Sequence, residues 1–180
     1  YTYTWYEPGV WLHEAQFYLG IFHNQISNLI VRDYNSFGVG VSKNVADADI
    51  DGMEFNLKIY PGNFSVFFNA SFIQSVNSSA VVAYDGRSLP GHYDQDYNLY
   101  LSYAVNSWQF STDWDVKKSM YYDRVNLLQA PDISNLNFSI LKSWANSSVE
   151  FSVKNALDKE TMDFQYQPAP GISYYLTYNQ

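Results

Sequence analysis

The run Asp47-Ala48-Asp49-Ile50-Asp51-Gly52 sets carboxylates at every second position and follows them with a glycine. Hard cations such as calcium take oxygen ligands in this spacing, with the glycine allowing the turn. The position where a bidentate Glu would close such a loop is Lys58, and the run leads straight into an alternating segment. A solvated acidic loop is therefore the reading preferred over a calcium site. His13, His23 and His92 have the side chains to ligate a metal or haem, but they are widely spaced on separate predicted elements, which favours polar wall or loop residues. Cysteine is absent, so there is no disulfide framework, thiolate metal site or thiolate nucleophile. No nucleophile elbow occurs, and no Ser, His and acid stand in a recognisable pattern. A hydrolase with Ser and His on its wall is the enzymatic alternative, but no pair is singled out, so no catalytic residue and no cofactor are assigned. The sequons at Asn63, Asn69, Asn77, Asn137 and Asn146 fall partly in strands and tight turns and read as chance in a chain rich in Asn and Ser.

The elements that position these groups are strands. Phe64, Val66, Phe68, Ala70 and Phe72 alternate with Ser65, Asn69 and Ser71; Tyr97, Leu99, Leu101, Tyr103 and Val105 alternate with Asn98, Ser102 and Asn106. Trp108, Phe110, Thr112, Trp114 and Val116 alternate with Gln109, Ser111, Asp113, Asp115 and Lys117. A period of two over about ten residues is a strand with one apolar and one polar face. The same pattern predicts strands over Trp11–Leu29, Gly52–Tyr60, Leu136–Trp144 (where Leu141 breaks the alternation), Val149–Val153 and Ile172–Tyr178, about eight in all. Tight turns are expected at Pro61-Gly62, Asn106-Ser107 and Asn146-Ser147, and long links at Val31–Asp51, Val76–His92, Lys118–Ser134 and Asn155–Pro170. Every second link is long, and the long ones share one end of the strands. Transmembrane barrels sort their loops this way, whereas a β-sandwich has no reason to.

Composition agrees. Of 180 residues, 17 are Tyr, 12 Phe and 5 Trp, which makes the chain 19% aromatic, more than an ordinary core needs. Tyr and Trp prefer the headgroup level of a membrane, so Trp108, Trp114, Tyr121, Tyr122, Trp144, Tyr174 and Tyr178, near predicted strand ends, are expected to form two girdles. A sandwich core is the alternative, but it would bury many Tyr hydroxyls needing partners. No apolar run reaches the roughly 18 to 20 residues of a spanning helix, and a barrel needs none. The net charge of −8 and the lack of a basic patch argue against nucleic acid. The chain begins at Tyr1, without a Met or signal peptide, and is expected to be processed, truncated or a piece of something longer.

The stretch Val149-Glu150-Phe151-Ser152-Val153-Lys154-Asn155-Ala156-Leu157-Asp158-Lys159 resembles the penultimate strand of TonB-dependent outer-membrane receptors, whose loop opens with V-x-N-L-x-D-K. Pro170-Gly171 with Tyr174-Tyr175-Leu176 is similar to the P-G-R and aromatic final strand of that family, with Ile172 in place of the Arg. Ile50-Asp51-Gly52-Met53-Glu54 resembles the recurring I-x-G-x-E, and Glu7-Pro8-Gly9 the earlier E-x-G. The resemblance implies an all-β, antiparallel transmembrane barrel, with residues 1–180 a single barrel region, no plug domain in it, and membership of a larger barrel of about 22 strands. It further implies residence in the bacterial outer membrane, among lipid. The function implied is uptake of a scarce nutrient chelate, ferric siderophore being the commonest class. Energy would come from an inner-membrane complex through a plug region absent from this chain. With the C-terminus periplasmic, the long links lie outside, and Arg87, Tyr121, Tyr122, Arg124 and Tyr166 become the candidate ligand-binding residues, the two arginines suiting an anionic chelate. Arg124 could instead pair with a neighbouring Asp. The alternatives are a small structural or adhesive outer-membrane barrel and a soluble secreted β-sandwich that binds carbohydrate.

Overall fold

The computed structural model describes residues 2–6, 12–34, 40–79, 81–164 and 167–180. One antiparallel sheet takes up β1 (Thr2–Tyr6), β2 (Leu12–Tyr34), β3 (Gly40–Pro61), β4 (Phe64–Ser78), β5 (Gln95–Val105), β6 (Trp108–Lys118), β7 (Ile133–Ser143) and β8 (Ser148–Lys154), each paired with the next. A small ladder of β9 (Met162–Phe164) with β10 (Gln167–Pro168) follows, and β11 (Ser173–Asn179) then closes onto β8. β1 and β11 are the two edges of this nine-stranded sheet.

The alternation in sequence becomes two faces because the register aligns it across strands. Phe17, Leu57, Phe68, Leu99, Trp114 and Leu136 form one continuous cross-strand row. Aromatic pairs knit neighbouring strands, with ring centroids 5.1 Å apart for the diagonal pair Phe17 and Phe55 and 4.6 Å for the directly opposed Phe64 and Tyr103. On the opposite face Ser65, Ser102, Ser111, Ser139 and Ser152 make a serine row, and Asn56, Asn69, Asn98, Asp115 and Asn135 another. These polar rows are bonded sideways: Ser111 and Ser139 share a 2.7 Å hydroxyl bond, and Asn98 Nδ2 donates to both Asp113 and Asp115 at 2.9 Å. Such cross-strand pairs are the unit of sheet stability.

The apolar face has no second layer over it among the described residues. Ile21 is 78% exposed and Leu176 75%, while the buried hydrophobic residues are only Ala48, Ala70, Met120 and Ala130. A sandwich would bury those side chains under a second sheet. Here they form an open belt of the kind that lipid covers.

The tight turns stand at Gly62-Asn63, Asn106-Ser107 and Ala145-Asn146, the second as expected and the other two one residue away from Pro61-Gly62 and Asn146-Ser147. Gly62 (φ 58°) and Asn106 (φ 53°) take the left-handed conformation that short hairpins demand. Three expectations change. An additional strand, β1, precedes those the alternation identifies. Most of Val31–Asp51, expected as a long loop, is strand: β2 and β3 stay paired out to Tyr34 and Gly40. The apolar alternation ends at the His23–Asp51 pair, but hydrogen bonding continues past it. Leu141 is no interruption either, since it pairs with Gln109 and Glu150 on the polar face while Ile140 and Lys142 keep the other.

Gly52 sits opposite Phe22, whose ring lies where a Cβ on Gly52 would have to be. Gly52→Val is expected to lower the unfolding free energy of the intact receptor by about 1–3 kcal/mol through overpacking. Denaturant midpoints in liposomes check this, and an unchanged midpoint would mean the ring moves aside freely.

Candidate functional site

At the end opposite the tight turns, the β4–β5 and β6–β7 connections fold into one unit. The first turns back along β4: the N–H groups of Asn77 and Leu89 donate to the carbonyls of Arg87 and Ser75 at 2.8 and 3.2 Å. The second makes its own ribbon, with Tyr122 N–H on the Leu128 carbonyl at 2.9 Å and Ala130 N–H on that of Met120 at 2.8 Å. Asn126, left-handed at φ 57°, clips the two together. Its Oδ1 accepts from Ser88 N–H at 2.8 Å and its Nδ2 donates to the Ser88 carbonyl at 3.0 Å. Gly91 N–H reaches the Tyr121 carbonyl at 2.9 Å, and the Tyr93 hydroxyl donates to the Pro131 carbonyl at 3.3 Å.

Arg124 lies in this junction, 8% exposed, with its guanidinium 4.0 Å from the centre of the Tyr84 ring of the other loop. Its Nε, Nη1 and Nη2 have no hydrogen-bond partner. The alternative, a pairing with the neighbouring Asp, does not form: the Asp123 carboxylate is occupied by the N–H groups of Leu127 and Leu128 at 3.1 and 2.6 Å. Burial works to raise the Asp123 pKa, but the backbone donors, Leu128 foremost, outweigh it and hold the carboxyl below its usual 3.8. The depressed pKa means the loop gains stability from Asp123 above pH 3.8, and loses it as acid protonates the group below that. A buried guanidinium without acceptors is costly, and an anion relieves that cost. The Tyr122 hydroxyl and Asn77 Oδ1 are also buried without partners.

The structure thus brings the loops of Arg87, Tyr121, Tyr122 and Arg124 together, with Arg87 exposed and Arg124 enclosed. Tyr121 and Tyr122 belong to this loop unit, with Tyr121 bridged to Gln129. Tyr166 lies outside the described residues, as do Glu7-Pro8-Gly9. Tyr84 and Asn126 escaped the sequence reading, because neither sits in a motif and their roles depend on which loops meet.

Asp47, Asp49 and Asp51 are neither a calcium loop nor a solvated acidic loop. They lie on β3, where alternate residues are about 6.7 Å apart along the strand, too far to surround one ion. Asp47 accepts from Asn28 N–H at 3.0 Å at a β2 bulge, and Asp51 meets His23 Nδ1 at 2.8 Å. His13 lies on β2, and its side chain is outside the described part. Among the described residues, no group of three His, Asp or Glu could hold a metal. Ser75, His92 and Asp94 do cluster, with Ser75 Oγ 2.5 Å and Asp94 Oδ1 3.8 Å from the same His92 Nε2. A catalytic triad needs the acid on Nδ1, whereas Asp94 stands beside the nitrogen that meets Ser75, so the cluster is not a triad and ties β4 to its loop.

The last long connection hangs on Asn155 and Asp158, both left-handed at φ 49°. Asn155 Nδ2 donates to the carbonyls of Lys159 and Pro170 at 2.9 and 3.3 Å, its Oδ1 accepts from Lys159 N–H at 3.2 Å, and Asp158 Oδ1 accepts from Ile172 N–H at 2.9 Å. The Asn, Asp and Lys of the V-x-N-L-x-D-K resemblance are therefore the residues that knot this loop.

Residues 3–156 match the family model for the β-barrel of TonB-dependent receptor-like proteins. No curated protein matches the chain. Among solved structures, the siderophore receptor PiuA of Acinetobacter baumannii is similar with a TM-score of 0.74 at 17% identity, over 90% of this chain and 25% of that one. The ferric-catecholate import receptor Fiu of E. coli K12 gives 0.70 at 17% identity, over 91% of this chain and 25% of its own. The copper transporter OprC gives 0.69 at 18% identity, over 98% and 30%. The chain spans about a quarter of the length of the first two receptors, and at these identities the likeness is one of fold. The match over most of the sequence carries the assignment: the chain belongs to the TonB-dependent receptor-like β-barrel family.

Proposed function

We propose that residues 1–180 are a single barrel region of a bacterial outer-membrane receptor that binds a scarce nutrient chelate on its long-loop side and passes it inward. Energy arrives from the inner membrane through a plug region of the receptor. The similar structures include receptors for iron chelates and a copper transporter, and ferric siderophore is the class we favour. Arg87, Tyr121, Tyr122, Arg124 and Tyr166 are the proposed ligand residues, on loops that face outside.

The observation that carries this reading is Arg124, enclosed, stacked on Tyr84 and short of acceptors for three nitrogens. Two loops clipped by Asn126 hold it in place beforehand, so an incoming anion need not order the site. A charge-assisted bond is worth about 1.5–3 kcal/mol. Arg124→Met in the intact receptor is therefore expected to weaken binding of an anionic ferric chelate roughly 10- to 100-fold. Titration with a panel of ferric and cupric chelates of differing charge checks this. Unchanged affinity for every anionic chelate in a folded Arg124→Met receptor would remove the loop unit as the ligand site.

A further inference from the structure

At the tight-turn end of the apolar face stands a lone cation. Lys142 pairs directly across from Trp108 and Val149, in a row that continues to Tyr178. Its ammonium lies 4.7 Å from the Trp108 ring centre and 5.9 Å from that of Trp144, and donates to Ser107 Oγ in the turn below. Both indoles are open on the outside, Trp108 at 43% and Trp144 at 55%. No carboxylate pairs with Lys142: the ion pairs among the described residues are His23–Asp51, His92–Asp94 and Lys117–Asp96. Glu150, the nearest acid along β8, alternates onto the opposite face. Between the rim at Lys118 and the tight turns, every other outward position on β5 to β8 and on β11 is uncharged.

Above this cation the same face carries an apolar groove of about 310 Å³, walled by Phe64, Leu101, Tyr103, Phe110, Thr112 and Phe138. Phe110, in the wall of the groove, stacks at 6.3 Å on Trp108, the indole that flanks the ammonium. A cation on a lipid-facing surface is expensive unless it reaches the headgroup level and meets an anion there.

We propose that Lys142, Trp108 and Trp144 bind the headgroup phosphate of one anionic phospholipid, whose acyl chain lies in the groove above. The ammonium has donors beyond the one given to Ser107, and the two rings fix its position without neutralising it. A zwitterionic headgroup brings its own ammonium to compete, so the site discriminates by net charge. The proposal rests on the outer-membrane reading only in requiring that the apolar face meet lipid, with the tight turns on the phospholipid leaflet.

The test is native mass spectrometry of the intact receptor drawn from bilayers of equal phosphatidylglycerol and phosphatidylcholine. One lysine near a membrane surface contributes about 1 kcal/mol, so retention of phosphatidylglycerol should exceed that of phosphatidylcholine roughly fivefold. Lys142→Gln should abolish the preference, Lys142→Arg should keep it, and Lys117→Gln on the polar face should leave it unchanged. The wild-type preference should also fall as salt rises, a readout that stands even if Lys142→Gln does not fold. Equal retention of the two lipids by the wild-type receptor would overturn the site, as would an unaltered preference in Lys142→Gln. Exclusive retention of lipopolysaccharide from native membranes would overturn the choice of leaflet. A folded receptor that carries neither lipid would also overturn the site, whereas a folded receptor that does not enter bilayers at all would overturn the outer-membrane reading instead.

Discussion

Arginine at Leu101 is expected to lower the folding free energy of the intact receptor in liposomes by about 2–4 kcal/mol, and arginine at Asn69 by far less. Leu101 faces outward between Val66 and Thr112, and Phe68, between Leu57 and Leu99, should behave as Leu101 does. Asn69 stands one residue along from Phe68, exposed on the polar face. Ser102 also lies on that face but makes a poor control, because it is buried and accepts a 3.1 Å bond from Gln109 Nε2. The difference between Leu101 and Asn69 isolates the medium that each face meets. Folding titrations giving equal penalties at the two sites would mean that the apolar belt does not face lipid.

Asn155→Ala should cost about 2–4 kcal/mol, because several effects coincide at one residue. The substitution removes the bonds to Lys159 and Pro170 from a side chain only 6% exposed, and leaves a β-carbon at φ 49° without the local bonding that makes Asn tolerant of that conformation. Asn155→Gly relieves the backbone but not the lost bonds, so it should recover roughly 1 kcal/mol of the loss. Asn155→Asp keeps the acceptor for Lys159 N–H and loses the donors. Limited proteolysis should cut between residues 156 and 171 in the Ala variant first. A variant as stable and as resistant as the parent would show that the loop is held by something other than this knot.

The fold was legible wherever one face meets an apolar medium, because alternation then records the face at every second residue. It failed where the strand outruns that medium. Beyond His23 and Asp51 the β2–β3 ladder continues through Gln25 and Asp49 and is shifted in register at Leu29, so the regular apolar alternation is lost and nothing in the pattern separates strand from loop. β1, five residues long, is too short to announce itself without its partner. The serine row is written one residue per strand across five strands, and it becomes visible only once the register is known. The candidate site was half legible. Arg87 and Arg124 stand out as cations in long links, but that one is exposed and the other enclosed against Tyr84 follows from which loops meet. Asn155 and Asp158 were recognisable as parts of a motif, and their left-handed backbones supply the reason for it.

The central claim is that the sheet spans the outer membrane with its joined loops outside and its tight turns inside. Single cysteines placed in this region, which has none of its own, test it in living cells carrying the intact receptor. Val82 and Leu127, 90% and 85% exposed at the tips of the two joined loops, should react with an impermeant maleimide once replaced by cysteine. Cysteines at Asn106 and Asn146, in the tight turns, should react only after the outer membrane is opened. Labelling of the turns and protection of the loops in intact cells would invert the topology and take the proposed ligand site with it.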